Sequence, residues 1–282
     1  MPGDLHCHSK LSDGSAALEE IIFLAKKLKI NTIAITDHDT QSGCSRAALI
    51  ARPYGIRVIH GLEISAYDYK HNKKVHILCY EPQFPNRLEG MIKATLDSRK
   101  AANLKALEAV QKRFPINFDM VNRRAQGCTC IYKQHIMHAI MDAGLTDRIF
   151  CKAYDLCFCE GGLSYEKVEY PDVFEVLELV KDSGGISVLA HPYLYHNDDI
   201  IDDLIKNGLD GIEVWHPSAD ESQVENLTKI ADKHKLLKTG GSDFHGMYTS
   251  RPHRVGKCST PDEELSKLVA LVKKKKAEVN HD

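Results

Sequence analysis

Eight residues able to bind a metal ion recur where short apolar runs give way to polar turns: His6, His8, His38, Glu63, His76, His191, Asp243 and His245. Neutral imidazole nitrogen and carboxylate oxygen are the donors that zinc, manganese and iron accept. The alternation His6-Cys7-His8 is informative by itself. In an extended segment residues two apart share a side, so both rings can reach one ion while Cys7 points away. Any one of these histidines is as well explained by packing. Six of them with several carboxylates in one place are not, because like carboxylates repel and every buried polar group requires a partner. Metal ions resolve both costs. Two adjacent ions lower the pKa of a shared water toward neutrality and neutralise charge growing on phosphoryl oxygens. Attack of metal-bound hydroxide on the phosphorus of a phosphate ester is therefore the expected chemistry.

The elements that must position these groups are legible as a rhythm. Asn31 to Thr36, Ile56 to His60, Val75 to Tyr80, Ile186 to Ala190, Gly211 to Trp215 and Leu236 to Thr239 read as buried strands. Helical patterns run from Ala17 to Leu28, Val173 to Lys181, about Asp198 to Lys206, and Glu221 to His234. With a short strand before His6 this makes about seven strands joined mostly by helices, the order of a parallel barrel. Ligand-type residues end each strand in turn: His6 and His8, then Asp37, His38 and Asp39, then Glu63, His76, His191, Glu213 with His216, and Asp243 with His245. In a parallel barrel those ends converge on one face.

Residues 81–170 differ in texture. A long helical pattern from Leu88 to Phe114 is followed by Pro115, a Cys-rich segment and a helix from Gln134 to Ala143. The expectation is a barrel domain of residues 1–80 and 171–282, with residues 81–170 as a helical cap inserted after the fourth strand and covering the site. The run Lys273 to Lys276 reads as the solvated end of a last helix.

Composition narrows the classes. The 37 Lys+Arg against 39 Asp+Glu give no broad field for nucleic acid or an anionic membrane. No run reaches the ~18 apolar residues of a membrane span, and nine scattered cysteines do not form a secreted disulfide framework. A cytoplasmic protein with reduced thiols is expected.

The motifs His6-Cys7-His8 with Asp13, Thr36-Asp37-His38-Asp39, Gly61-Leu62-Glu63, Ala190-His191-Pro192 and Gly241-Ser242-Asp243-Phe244-His245 resemble, in order, those of the PHP (polymerase and histidinol phosphatase) family. The resemblance implies an α/β fold, a distorted (β/α)7 barrel, with two or three divalent ions (Zn, Mn or Fe). It implies His6, His8, Glu63 and Asp243 around one ion, Glu63, His76 and His191 around a second, and Asp13, His38 and His245 around a third. In the branch that dephosphorylates small nucleotides, the insertion carries an arginine near the end of its first long helix and a Gly-Arg-Pro-His-like segment. Arg99 matches the former, and Tyr132-Lys133-Gln134-His135 lies where the latter falls, with Lys for Arg and Gln for Pro. Lysine offers a point charge in place of a bidentate fork, so substrate choice departs where this segment does.

Other groups complete the expected site. Arg99, Lys133, His135, Arg251 and Arg254 are candidates for the substrate phosphate. His216 is a candidate general acid or a rim residue, and Asp243 a catalytic ligand. Asp37, Asp39 and Glu213 are candidates to fix imidazole tautomers. Cys128, Cys130, Cys157 and Cys159 are spaced one residue apart where zinc ribbons have two. Gly240-Gly241 reads as close backbone approach rather than a phosphate loop. The leading function is hydrolysis of a small phosphomonoester such as a nucleotide, nucleoside bisphosphate or sugar phosphate. The competitor is a phosphodiesterase for a cyclic phosphate or short oligonucleotide ends. A regulatory metal-binding module and an amidohydrolase are alternatives from other classes. Long single strands are disfavoured, since the chain lacks an aromatic and basic stripe.

Overall fold

Alternation of β-branched runs with amphipathic stretches produces a single sheet wrapped by helices. The computed structural model describes residues 2–279. Among these, the sheet runs in chain order through β1 (Gly3–Asp4), β2 (Thr32–Ile35), β3 (Arg57–Asp68), β4 (Lys73–Tyr80), β5 (Ile186–Leu189), β6 (Gly211–Trp215) and β7 (Leu237–Gly240). β1, β2 and β3 are parallel, as are β5, β6 and β7.

β4 corrects the expectation of an all-parallel barrel, because it pairs antiparallel with both β3 and β5. The physical reason is the connection: only residues 69–72 separate β3 from β4. A link that short makes a hairpin, whereas a parallel return requires a crossover of a dozen residues or more. His76, midway along β4 and paired with Ser65 of β3, is brought by the reversal to the same rim as the ligand residues that end the other strands. The sheet nearly closes on itself. Leu5 N–H donates to the Gly240 carbonyl at 3.2 Å, and Cys7 forms an isolated bridge with Phe244. This closure explains Gly241: a Cβ there would stand 2.3 Å from His6 Cβ and 2.5 Å from His6 N, so only glycine fits.

α1 (Leu18–Lys27) shows why the outer helices form where they do. Leu18, Ile21, Ile22 and Ala25 make its buried stripe, Glu20 accepts the Ala17 N–H at its start, and Lys26 and Lys27 complement its C-terminal dipole. Full burial of each such isoleucine is worth about 1.5–3 kcal/mol. α2 (Cys44–Ala51) packs beside it. Between β4 and β5 come α3 (Glu89–Gln111), α4 (Phe118–Arg124), α5 (Lys133–Asp142) and α6 (Lys152–Phe158), then α7 (Val173–Asp182). α8 (Ile201–Lys206), α9 (Glu221–His234) and α10 (Asp262–Val279) complete the ring.

The helices α3 to α6 share an apolar core of their own, including Leu107, Val110, Val121, Ile136, Ile140 and Phe158, to which Tyr248 from the loop after β7 contributes. The lysine run on α10 is not wholly solvated, since Lys275 pairs with Asp210 at 2.6 Å. The nine cysteines are free thiols, and no helix among the described residues is long and apolar enough to cross a membrane.

Candidate metal centre

Glu63, near the middle of β3, organises the rim. Its Oε1 lies 2.7 Å from His76 Nδ1 and 2.8 Å from His191 Nε2. Its Oε2 lies 3.2 Å from His8 Nε2, 3.3 Å from His38 Nδ1 and 3.4 Å from His6 Nε2. Asp243 Oδ1 stands 3.4 Å from His6 Nε2 and 3.3 Å from His8 Nε2, and those two nitrogens are 3.1 Å apart. A tetrahedral zinc shell with bonds near 2.0–2.1 Å has edges of about 3.3–3.4 Å. His6, His8 and Asp243 thus present three donors at about the spacing of such a shell, and Glu63 Oε2 lies within 3.4 Å of both imidazoles. On the far side Asp13 Oδ1 lies 3.3 Å from His245 Nε2 and 3.6 Å from His8 Nδ1, while Asp13 Oδ2 is 3.9 Å from His38 Nε2.

Four groups of potential ligands gather among the described residues: His8, Asp13, His38 and His245; His6, His8 and Asp243; His6, Glu63 and His191; His38, Glu63 and His76. All nine residues expected from sequence come together. The grouping differs from the one the resemblance implies: His8 also faces Asp13, Glu63 is not grouped with His6, His8 and Asp243 together, and His191 and His76 share Glu63 in separate groups, with His6 and His38 respectively.

The electrostatics of the cluster call for cations. Burial alone would raise the Glu63 carboxyl, yet His76, His38 and His6 outweigh it and hold it well below the usual range. Asp13 and Asp243 behave alike: burial is overcome for both, chiefly by His245. In the converse sense burial disfavours a charged His6, but Glu213, Glu63 and Asp243 pull it well above the ordinary value, and His8 is pushed up to about 10 by Asp243 and Glu63. Burial keeps His38 and His76 neutral, His76 with a pKa lowered to about 3, which is the ligand form of imidazole. Buried His8 Nδ1, His38 Nδ1, His76 Nε2, His191 Nδ1 and Asp243 Oδ1 have no hydrogen-bond partner, an omission that costs on the order of 1–3 kcal/mol each unless something binds them. Positive charge drawn in by carboxylates, together with unpartnered donor atoms, fits divalent ions.

The surrounding groups show how the rim is held. Glu213 accepts from His6 Nδ1 at 2.9 Å and from the His191 backbone N–H at 2.8 Å, leaving His6 Nε2 to face the cluster. His191 and Asp243 sit at φ +28° and +48°, a left-handed backbone that costs of order 1–3 kcal/mol and persists because such contacts over-determine it. Asp37 and Asp39 do not bond His38, contrary to one expectation, because both carboxylates are engaged elsewhere, Asp39 from a left-handed backbone at φ +52°. Asp37 instead accepts from Ser9 N–H, Ser9 Oγ and Ser12 Oγ, which fixes the turn carrying Asp13. Asp39 accepts from Ser65 N–H and from Arg99.

A cavity of about 250 Å³ opens over the cluster, with Lys74, Arg99, Asn103, Tyr132, Lys133, Gln134 and Tyr195 among its walls. Arg99 and Lys133 are therefore where the sequence reading put them. Three other expectations are corrected. His135 is buried, its Nδ1 accepting the Tyr132 N–H at 3.1 Å to cap α5, and it does not line the cavity. Arg251 and Arg254 are exposed and outside it. Val255 packs into the core beneath α1 and the Gly256 N–H reaches Asp4, so their loop is drawn away from the mouth. His216 does not face the cavity as a general acid would. Its Nδ1 accepts the Ser218 N–H, so Nε2–H is directed at Asp243 Oδ2, 3.3 Å away, and the ring steadies that carboxylate. The cysteines of the insertion do not gather either: Cys128 lies against the Leu11 and Ser12 carbonyls, Cys157 is in the helical core and Cys159 is exposed.

Sequence reasoning missed Lys74, Asn103, Tyr195 and the part played by Gln134, whose Nε2 donates to Asp13 Oδ2 at 3.2 Å. For Lys74 a signal existed, since it stands two residues before His76 on one strand and so shares its face.

A seven-strand mixed barrel with this histidine and carboxylate rim defines a metal-dependent hydrolase. The chain belongs to the PHP domain family, whose model matches residues 4–148. It is 33% identical over 253 residues to a phosphoribosyl 1,2-cyclic phosphate 1,2-diphosphodiesterase of Eggerthella lenta, covering 89% of this chain and 96% of that one. It is 29% identical to a 5'-3' exoribonuclease of Haemophilus influenzae (86% and 89% covered) and 26% identical to a 3',5'-nucleoside bisphosphate phosphatase of Chromobacterium violaceum (86% of each). A structure assigned to a metal-dependent phosphoesterase of Bifidobacterium adolescentis superposes with a TM-score of 0.87 at 30% identity, covering 95% and 96% of the two chains. The protein is a metal-dependent phosphoester hydrolase.

Proposed function

We propose that the protein hydrolyses a phosphate ester on a small molecule of sugar-phosphate or nucleotide size. The observation that carries this reading is the cavity: metal-ligand groups form its floor, and residues of α3 and α5, with Lys74 and Tyr195 of the barrel, form its walls. In this reading residues 81–170 act as a cap domain on a barrel of residues 1–80 and 171–282, limiting substrate size and excluding water. The nine rim residues would hold two or three ions of zinc, manganese or iron, which when bound supply an activated water and neutralise charge on the phosphoryl oxygens. Glu213 holds His6 in its ligand tautomer, and His216 and Gln134 steady Asp243 and Asp13. Arg99 and Lys133 face the space where the ester would sit.

Within this class a cyclic phosphodiester of a phosphorylated sugar is favoured over the phosphomonoester that sequence alone puts first, because the Eggerthella relative is matched over 96% of its length. The Chromobacterium relative supports the monoester as the second reading. The test is a panel of sugar phosphates, nucleoside mono- and bisphosphates, cyclic phosphodiesters and short oligonucleotides under defined metal loading. Inorganic phosphate is followed directly and after adding a separate phosphatase. Turnover of a cyclic sugar phosphodiester, lost in Asp13→Ala and His191→Ala, is expected. Trimming of oligonucleotides with no turnover of small esters would overturn the proposal.

A further inference from the structure

The helices α4 to α6 meet the barrel rim at a small number of points, and those points are not spread evenly. Thr129 N–H and Oγ1 both donate to the Leu11 carbonyl at 3.1 Å, and Cys128 Sγ lies 2.9 Å from the Ser12 carbonyl, beside Asp13. Gln134 reaches Asp13 itself. The buried Tyr132 hydroxyl donates to the His38 carbonyl at 3.4 Å. Tyr248, three residues after His245, donates its hydroxyl to His138 Nδ1 of α5 at 2.7 Å and its N–H to the His245 carbonyl at 3.2 Å, with its ring edge-on to His138 and His135. Among the described residues, every hydrogen bond between residues 118–158 and the barrel involves Leu11, Ser12, Asp13, His38 or Tyr248.

All five belong to segments that carry one ligand group, that of His8, Asp13, His38 and His245. Asp13 stands in a turn and His245 in a loop, outside any strand, and ligands on loops need outside support to hold a precise geometry. Turn and loop are also joined to each other, because Ser15 N–H donates to the His245 carbonyl at 3.0 Å. A contact from the helices on one is thus felt by both. The atoms of this group stand 3.3 to 3.9 Å apart, wider than the 3.1 to 3.4 Å among His6, His8 and Asp243. The groups around Glu63 are held differently. His76 lies within β4 with the Ala190 N–H on its carbonyl, and His6 and His191 lean on Glu213, all inside the barrel. α3 reaches a wider area through Arg99, on Asp39 and Ser65.

We propose that residues 118–158 are a clamp for that one ligand group, with Thr129, Tyr132 and His138 as positioning residues acting through Leu11, the His38 carbonyl and Tyr248. The ion held by His8, Asp13, His38 and His245 is then gained and lost with docking of these helices, whereas the ions around Glu63 are held by the barrel alone. The number of ions at the rim thereby depends on the state of the cap. This goes beyond a cap that limits substrate size. It rests on the rim residues holding ions and not on which ester is cleaved, so it is read without turnover.

The test titrates the metal-free full chain with zinc alone and reads bound zinc per chain by elemental analysis after desalting at graded chelator concentrations. Asp13→Ala identifies the ion concerned and is expected to lack it. Tyr132→Phe combined with Tyr248→Phe keeps both rings and removes both hydroxyls. That pair is expected to weaken retention of the same ion by about tenfold, the equivalent of two ordinary hydrogen bonds, with retention of the others unchanged. Added to Asp13→Ala, the pair should change nothing further, a non-additivity that a general loss of stability would not produce. Where circular dichroism shows the pair misfolded, Thr129→Val, at an exposed hydroxyl, takes its place with the same expected selectivity. Equal weakening of every ion, unchanged retention of the ion that Asp13→Ala loses, or a full complement in Asp13→Ala would each overturn the clamp. Selective loss as expected, in a protein that hydrolyses none of the phosphate esters above, supports the clamp and removes the proposed function.

Discussion

Five imidazoles lie within 3.4 Å of the two oxygens of Glu63, so the site depends on how each ring is turned. Glu213 turns two of them through its contacts with His6 and the His191 backbone. Glu213→Gln is expected to weaken metal retention about 10–100-fold, read by competition with a chromogenic chelator; unchanged retention would show that the carboxylate is not needed for orientation. His135 makes a different prediction. Burial lowers its pKa to about 4 from an ordinary 6.5, so the unfolded chain takes up a proton between those values and the folded chain does not. Stability from this residue is present above pH 6.5 and is lost as pH falls toward 4, by about 3 kcal/mol in all. His135→Asn, which keeps a capping acceptor, should flatten denaturation midpoints measured across that window. Eight ligand positions were legible in sequence because donor type coincides with a place at a strand end or turn, and Asp13 was legible only through the resemblance of its motif. Lys74, Tyr195 and the capping role of His135 were not, because lysine, tyrosine and histidine carry no position of their own until the backbone assigns one.

At the level of elements, strand identity was readable from apolar runs, and α9 spans Glu221 to His234 as the periodicity predicts. Strand direction was not. It is set by the connection after β3, whose four residues permit only a hairpin. Close approach at Gly241 was readable as a glycine pair, but its partner, His6, lies more than two hundred residues away and only the closed sheet discloses it. Gly241→Ala should therefore act on both fold and site. Its Cβ would meet the His6 backbone, which has no rotamer to yield, and a loss of about 1–3 kcal/mol or more is expected from overpacking. Denaturant midpoints and metal content measured together check this; a variant of native stability with a full metal complement would contradict the closure described.

For the molecule as a whole, the rim gathers buried carboxylates and imidazole nitrogens without hydrogen-bond partners that bound ions would satisfy, so occupancy and stability must be linked. Stripping metal with a chelator should lower Tm, and re-adding a competent ion should raise it with concentration. At a hundredfold excess over Kd the gain is about 2.7 kcal/mol per independent site. A Tm indifferent to metal in differential scanning calorimetry would argue against the cluster as a binding site. The closure of the sheet carries a further consequence, in time rather than space. His6 and His8 lie at the first strand and Asp243 and His245 beyond the last, and the four rings and carboxylates meet only once β7 has docked against the segment after β1. A chain emerging from the ribosome would hold its first ligands long before it had the others. Metal capture is thus a late event, coupled to the slowest and most non-local contact in the fold, and the arrival of the ion reports that the barrel has closed.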